Sequence, residues 1–146
     1  MKTITIGKIG KRIMATKTKV GKMLARPAPP LFGRRVLFVC QCNLNRSPTF
    51  ERYFAKEHPG YEFRSAGISY GYPYQFDQDI INWAQIIFFM ELKQLDTVMK
   101  NPKYKFHQPI FALNIEDIYD PDDPELIKLI KQKEGWIVEQ IKRIGG

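Results

Sequence analysis

Residues 31–146 alternate between short apolar runs and amphipathic stretches. The apolar runs predict four β-strands, and their nearly continuous hydrophobicity is typical of strands buried on both faces of a parallel sheet. The stretches that follow them predict four helices. The strands are predicted at 36–39, 62–65, 86–90 and 110–113, and the helices at 48–56, 79–84, 91–100 and 123–144.

The predicted helices carry start and stop signals. Ser47 is expected to cap a helix that begins at Pro48, and Asp123 to cap the last helix, whose apolar stripe is interrupted by Gly135. This alternation of strands and helices predicts an α/β fold, a three-layer sandwich with a four-stranded parallel sheet. Such sheets bind ligands at the carboxyl ends of their strands, so the loop that begins at Cys40 is the first place to expect a site.

Composition excludes several classes of protein. The chain is 44% hydrophobic, enough for one core, and no apolar run approaches the roughly 18 residues that a membrane span needs. Its two cysteines, Cys40 and Cys42, are too close together to staple a secreted fold. With the two histidines they form no zinc spacing. We therefore expect a cytoplasmic domain without metal or cofactor.

The net charge of +8 belongs to the N-terminal stretch. Residues 1–30 hold eight of the 23 basic residues and no acidic one, so 31–146 carry 15 residues of each sign. Prolines at 27, 29 and 30 favour a boundary there. We predict a basic, disordered extension over 1–30 and one functional domain over 31–146. A transit peptide, or a tether to nucleic acid or an anionic surface, are alternatives for the extension.

The loop after the first predicted strand has the composition of an anion site. Between Cys40 and a helix starting near Pro48, backbone N–H groups can curl around one point and form a cradle reinforced by the helix dipole. The same field favours the nucleophilic thiolate of Cys40. Arg46 can grip two phosphate oxygens, and Ser47 can donate a hydrogen bond to the sulfur. The predicted phosphate-binding residues are Gln41, Cys42, Asn43, Leu44, Asn45, Arg46 and Ser47.

This loop resembles the signature of the low-molecular-weight protein tyrosine phosphatases, in the order apolar strand, Cys40, Asn43, Arg46-Ser47-Pro48. Residues 65–67, 83–91 and 115–119 resemble three further pieces of that family, and the resemblance spans 36–144. It implies the family's fold and a phosphotyrosine phosphatase that works through a phosphocysteine intermediate. Cys40 would be the nucleophile and Arg46 the phosphate clamp. Asn43, bonded toward Ser65, would support the loop.

The resemblance also implies a general acid. Asp117 matches the family's acid loop, although Ile118 stands where a proline is usual, and Asp120-Pro121 recreates the pair three residues later as an alternative. Tyr72 and Tyr119 are candidate walls of a substrate pocket. Cys42 stands where the family usually has glycine, and it either fills space or forms a strained disulfide with Cys40.

Other functions share part of this pattern. A phosphoserine protein phosphatase can use the same Cys-x5-Arg-Ser loop, and a phosphocarrier or a non-catalytic phosphate-binding module needs only part of it. A redox or metal Cys-x-Cys site would depend equally on Cys40 and Cys42. The expected partner is a phosphorylated protein or a small phosphomonoester, with nucleic acid reached only through the basic extension. The sequence does not indicate an oligomeric state.

Overall fold

The computed structural model describes residues 3–4, 34–69 and 74–144. Its elements follow the predicted alternation of strand and helix. The strands are β1 (Thr3–Ile4), β2 (Arg35–Cys40), β3 (Glu62–Gly67), β4 (Ile86–Phe89) and β5 (Ile110–Ala112), and the helices are α1 (Arg46–Glu57), α2 (Gln78–Trp83), α3 (Leu92–Met99) and α4 (Pro124–Lys142).

The sheet confirms the predicted α/β class. Within the described residues its order is β1-β5-β4-β2-β3, and β2, β3, β4 and β5 run parallel. The short strand β1 was not predicted. It pairs antiparallel with β5, with Thr3 opposite Phe111. Apart from these two residues, the extension predicted over 1–30 lies outside the described residues and stays a prediction.

Two apolar layers sandwich the sheet, as period-2 alternation along buried strands requires. On one face Phe38 and Phe88 pack with side chains of α1 and α4, such as Phe54 and Ile137. On the other face Leu37 and its neighbours pack against α2 and α3. All these side chains are buried, which explains why the strands read as continuous apolar runs.

Several predicted boundaries were wrong by one or two residues. Helix α1 begins at Arg46, with Asn45 as its N-cap residue, so Ser47 lies in the first turn. Its hydroxyl is engaged with Cys40 and is not available as a cap. Strand β3 continues to Gly67, and α4 runs through Gly135 without a break. Asp123 does cap α4, because its side chain accepts a hydrogen bond from the Glu125 N–H.

The topology places a crevice at the carboxyl ends of β2 and β4. The chain leaves β2 toward β3 on one side and leaves β4 toward β5 on the other, which is the switch point where open α/β sheets bind ligands. The loops that follow Cys40 and Phe89 therefore meet at this edge. In the described part of the chain, no helix is long and apolar enough to cross a membrane.

Candidate active site

The cradle, residues 40–47, joins the end of β2 to the start of α1. Cys40 is buried at its base, where the Asn43 N–H donates to Cys40 Sγ at 3.2 Å. Ser47 Oγ lies 3.0 Å from the same sulfur. Both contacts therefore converge on the sulfur at the N-terminus of α1, the positive end of the helix dipole.

Asn43 gives the cradle its shape. Its φ of 54° lies in the left-handed region, which asparagine tolerates better than most residues. Its side-chain amide donates to Ser47 Oγ at 3.0 Å. Because that oxygen accepts the amide proton, the Ser47 hydroxyl proton is free to point at Cys40 Sγ. Asn43 and Ser47 thus form one buried relay to the sulfur.

The expected bond between Asn43 and Ser65 was wrong. Ser65 Oγ donates instead to Glu51 Oε1, across the gap between β3 and α1. The reason is the register, which pairs Ser65 with Phe38, two residues before the end of β2. The Ser65 hydroxyl therefore joins β3 to α1.

Gly67 is the closest neighbour of the cradle on β3. A Cβ atom there would lie 2.7 Å from the Cys42 carbonyl carbon and 2.8 Å from the Asn43 nitrogen. Both distances are shorter than real Cβ contacts, so glycine is needed for this close approach. In addition, Ile68 and Ser69 donate backbone hydrogen bonds to the carbonyls of Cys40 and Gln41. The end of β3 therefore braces the cradle.

The Arg46 side chain lies between two carboxylates and is only 2% exposed. Its NH1 atom is 3.2 Å from Glu91 Oε2, and its Nε is 3.6 Å from Asp117 Oδ1. The same NH1 donates to the Ile115 carbonyl at 2.7 Å. These contacts satisfy the charge of a buried guanidinium and connect it to the loop that carries Asp117.

Glu91 was not assigned to the site from the sequence. It follows the buried strand β4, and its backbone N–H donates to Gln94 Oε1 in the first turn of α3. An acidic residue directly after a parallel strand is a signal that could have found it, because β4 ends beside β2. From the sequence, Glu91 was predicted only to start a helix and to end the segment 83–91 that resembles the family.

The two candidate acids differ in position. Asp117 is 63% exposed and within reach of Arg46, whereas Asp120 is exposed and makes no ion pair within the described residues. Asp122 is held by Arg52 of α1 at 2.9 Å. Of the acidic cluster after β5, Asp117 is therefore the carboxylate that the structure brings to the cradle.

The rim of the cradle carries exposed apolar side chains. Leu44 is 49% exposed within the cradle, and Ile118, beside Asp117, is 68% exposed. Tyr119, predicted as a pocket wall, is half-buried and packs against the core cluster on the α1 side of the sheet. Tyr72, the other predicted wall, lies outside the described residues.

Both cysteines are free thiols in the structure, Cys40 buried and Cys42 half-buried. Cys42 lies against Gly67 through its backbone, so it contributes to the contact that braces the cradle. Among the described residues, no group of three or more His, Cys, Asp or Glu side chains is placed to hold a metal ion.

Comparisons with known proteins identify solved structures with a similar fold. No family model matches the chain, and neither does any curated protein. Among solved structures, a low-molecular-weight protein tyrosine phosphatase from T. tengcongensis matches with a TM-score of 0.58 and 21% identity, over 76% of this chain and 99% of that one. SP-PTP from Streptococcus pyogenes, of the same family, matches with a TM-score of 0.59 and 15% identity, over 76% and 99%.

The YwlE arginine phosphatase from Geobacillus stearothermophilus is also similar, with a TM-score of 0.52 and 24% identity over 75% of this chain and 97% of that one. At such identities the similarity concerns the backbone. It covers nearly the full length of each neighbour, which confirms the architecture expected from the resemblance. This chain has the fold of the low-molecular-weight protein tyrosine phosphatases.

Proposed function

We propose that this chain is a cysteine-dependent phosphomonoesterase that hydrolyses phosphotyrosine through a phosphocysteine intermediate. The observation that carries the proposal is the environment of Cys40 Sγ. It receives the Asn43 N–H at 3.2 Å and lies 3.0 Å from Ser47 Oγ, with the Arg46 guanidinium at the same cradle. A buried thiol needs none of these groups for packing, but a nucleophile that attacks a phosphate dianion needs all of them.

In the first step the Cys40 thiolate attacks phosphorus in line with the leaving oxygen. The S–P bond forms as the P–O bond to the substrate breaks, and Asp117 gives its proton to the departing oxygen. The backbone N–H groups of the cradle and the Arg46 fork hold the three equatorial oxygens. For this, Arg46 exchanges its contact with Asp117, at 3.6 Å the longest of its three, for phosphate oxygens.

In the second step water attacks the phosphocysteine. Asp117, now a carboxylate, takes the proton of the water, the P–S bond breaks, and inorganic phosphate leaves. The electron pair of that bond returns to Cys40 Sγ, where the Ser47 hydroxyl and the Asn43 N–H stabilise it. The hydrogen bond from Asn43 to Ser47 and the contact between Ser47 and Cys40 therefore matter most in this second step, in which the sulfur is the leaving group.

The rim supports an aromatic leaving group. Leu44 lies in the cradle and Ile118 follows Asp117 in the chain, and both side chains are more than 40% exposed, so both are accessible to an aromatic group. We expect a phenyl ring, which extends further from the phosphate than a serine side chain does, to be the better partner for these apolar side chains. This is the reason to favour phosphotyrosine over phosphoserine.

The experiment is hydrolysis of para-nitrophenyl phosphate at mildly acidic pH with a chelator present. Wild type should turn over, and Cys40→Ser should lose all turnover while keeping the melting temperature. Cys42→Ser is the matched control, since it removes the other thiol of the same loop, and it should keep most of the activity. Mass spectrometry of acid-quenched wild type should show one phosphoryl group on Cys40.

If the wild type is folded but shows no turnover, the proposed phosphatase activity is refuted, and a phosphate-binding or phosphocarrier role remains. Equal loss in both cysteine variants would favour a Cys-x-Cys function. Phosphotyrosyl and phosphoseryl peptides of the same sequence decide the substrate. We expect the phosphotyrosyl peptide to have the higher kcat/KM, and a Leu44→Ala variant to reduce that preference.

A further inference from the structure

The segment between β5 and α4, residues 113–123, carries Asp117, and we call it the acid loop. Its first part is fixed to the sheet. The N–H groups of Leu113 and Ile115 donate to carbonyl groups at and just after the end of β4. The Ile115 carbonyl also accepts a hydrogen bond from Arg46 NH1 at 2.7 Å. The acid loop is therefore held in place up to residue 115.

The middle of the acid loop, residues 116–119, has less support. Its backbone forms no hydrogen bond to main-chain groups in the described part of the chain. Asp117 lies in this stretch, is mostly exposed, and has its carboxylate 3.6 Å from Arg46 Nε. The position of the Asp117 carboxyl group therefore depends also on how the acid loop is fixed after this stretch.

Helix α1 fixes the far end of the acid loop at Asp122. The Asp122 N–H donates to Thr49 Oγ1 at 3.0 Å. The Asp122 carboxylate accepts two hydrogen bonds from Arg52, from Nε at 3.3 Å and from NH2 at 2.9 Å. The φ of Asp122 is 58°, in the left-handed region, which aspartate tolerates better than most residues. Two side chains of one helix therefore hold the turn that precedes α4.

Thr49 connects this end of the acid loop to the cradle. Its side chain is fully buried, and its hydroxyl donates to the Asn45 carbonyl at 2.7 Å. A hydroxyl that donates its proton still has lone pairs to accept with, so the bond from the Asp122 N–H forms at the same time. Asn45 is the cradle residue directly before Arg46. One hydroxyl thus sets the distance between the cradle and the acid loop.

We propose that Thr49 and Arg52 are positioning residues, which hold the acid loop so that Asp117 reaches the leaving oxygen of a phosphate ester bound in the cradle. This inference rests on the proposed function, in which Asp117 leaves Arg46 during turnover. Both side chains act through Asp122 and not on the substrate. A short segment fixed at both ends explores fewer conformations than one fixed at one end, so its carboxyl group is in the reactive position for more of the time.

The test compares kcat/KM for phenyl phosphate and para-nitrophenyl phosphate, whose leaving groups differ in basicity. Thr49→Val removes the acceptor of the Asp122 N–H, whereas the Asn45 carbonyl keeps the backbone N–H of residue 49, at 3.2 Å. We expect kcat/KM to fall about tenfold for phenyl phosphate and less than about twofold for para-nitrophenyl phosphate, because only the first depends strongly on a positioned acid. Thr49→Ser, which keeps the hydroxyl, should restore most of the loss.

A double-mutant cycle shows whether Thr49 acts through the acid. In an Asp117→Asn background, Thr49→Val should have no further effect on kcat/KM, because both changes remove the same contribution. Losses that add in the double variant, or an equal fall for the two phosphates, would place the effect in the cradle and overturn the proposal.

Variants of the ion pair separate anchoring from a long-range charge effect. Arg52→Gln and Asp122→Asn both remove the pair but change the net charge in opposite directions. As an anchor, the exposed pair should contribute modestly, so both variants should lower kcat/KM for phenyl phosphate by about two- to fivefold. If Arg52 only attracted the phosphate dianion, Asp122→Asn would raise kcat/KM, and the proposed role of Arg52 would be wrong.

The chain offers a matched control for each change. The Thr97 hydroxyl donates to the Lys93 carbonyl in α3, the same spacing as the bond from Thr49 to Asn45. Arg143 forms an exposed ion pair with Glu139 at the end of α4. Thr97→Val and Arg143→Gln should leave kcat/KM for both phosphates unchanged.

Hydrogen exchange of the Asp122 amide, followed by NMR, tests the anchor without turnover. Exchange should be at least about tenfold faster in Thr49→Val than in wild type, and equal rates would overturn the anchor. If Thr49→Val does not fold, the cycle with Asp117→Asn is run with Arg52→Gln, whose side chain is exposed. A folded wild type that hydrolyses neither phosphate would refute the proposed function and this inference together. Normal hydrolysis by wild type that Thr49→Val leaves unchanged would refute this inference alone.

Discussion

The contact between Gly67 and the cradle predicts that Gly67→Ala damages catalysis more than folding. The added methyl carbon would lie 2.7 Å from the Cys42 carbonyl carbon and 2.8 Å from the Asn43 nitrogen. Both are backbone atoms, which cannot swing away as a side chain can. To reach ordinary contact at about 3.4 Å, the strand and the cradle must separate by about 0.6 to 0.7 Å.

That displacement acts on the Asn43 N–H, which donates to Cys40 Sγ. Misplacement of a reacting group by about 1 Å can cost about 100-fold in rate, so we expect kcat/KM to fall about 10- to 100-fold. Overpacking a tight contact costs about 1–3 kcal/mol of unfolding free energy. For a domain of this size we expect the melting temperature to fall by roughly 4 °C or more.

The assay measures hydrolysis of para-nitrophenyl phosphate together with thermal unfolding. Gly135→Ala is the matched control, since a Cβ at this position in α4 meets nothing within 4 Å. Alanine is the better helix former, so this variant should gain about 0.5–1 kcal/mol and keep wild-type kcat. Wild-type kcat/KM in a folded Gly67→Ala variant would refute the idea that β3 holds the cradle in its reactive shape.

Other variants test the acid, the cap and one titrating group. Asp117→Asn should lower kcat about 100- to 1,000-fold for phenyl phosphate and less for para-nitrophenyl phosphate, whose leaving group needs less protonation, whereas Asp120→Asn should have little effect. Asp123→Ala removes the cap of α4 and should cost about 1 kcal/mol in denaturant unfolding. Burial and a hydrogen bond to Glu134 raise the pKa of Tyr53 to about 12. The folded chain therefore keeps a proton that the unfolded chain releases near pH 10, and stability falls between about pH 10 and 12. Tyr53→Phe should show a smaller fall over that range.

Much of the fold could be predicted because the local sequence pattern of each strand already reflects its burial in the folded sheet. Strands buried on both faces must be apolar throughout, so β2 and β4 are visible in the sequence without knowledge of their neighbours. Boundaries were less accurate where a side chain serves the site. Ser47 has the residue type of a helix cap, but its hydroxyl is used on Cys40, and the helix starts at Arg46, two residues earlier than predicted.

The strand β1 shows a different limit. Two residues of a basic, weakly apolar stretch carry no strand signal of their own. Their pairing with β5 arises because that strand would otherwise be an open edge of the sheet. Such pairing depends on the neighbour more than on the sequence of the strand itself, and single-sequence patterns do not contain it.

The site was predictable where its residues are close in sequence and unpredictable where topology brings them together. Cys40, Asn43, Arg46 and Ser47 lie within eight consecutive residues, from the last residue of β2 to the first turn of α1, and these two elements determine their geometry. The prediction of a bond between Asn43 and Ser65 was wrong because it depends on the register of β2 against β3. The sequence does not specify this register to within two residues.

Glu91 shows what this limit hides. It is 45 residues from Arg46 in the chain, yet its carboxylate lies 3.2 Å from the guanidinium, because β2 and β4 are adjacent and end at the same edge of the sheet. Under the proposed function Arg46 binds phosphate only during turnover. At other times its nearly buried guanidinium needs a partner, because an unpaired buried charge is strongly unfavourable. In the mechanism proposed above, Asp117 cannot fill this role alone, because it would have to leave Arg46 in order to protonate the substrate. Glu91 can remain, since its own N–H is anchored in the first turn of α3. In that mechanism Glu91 stays on Arg46 while Asp117 moves to the substrate, and Glu91 is placed to do so because β4 ends beside β2.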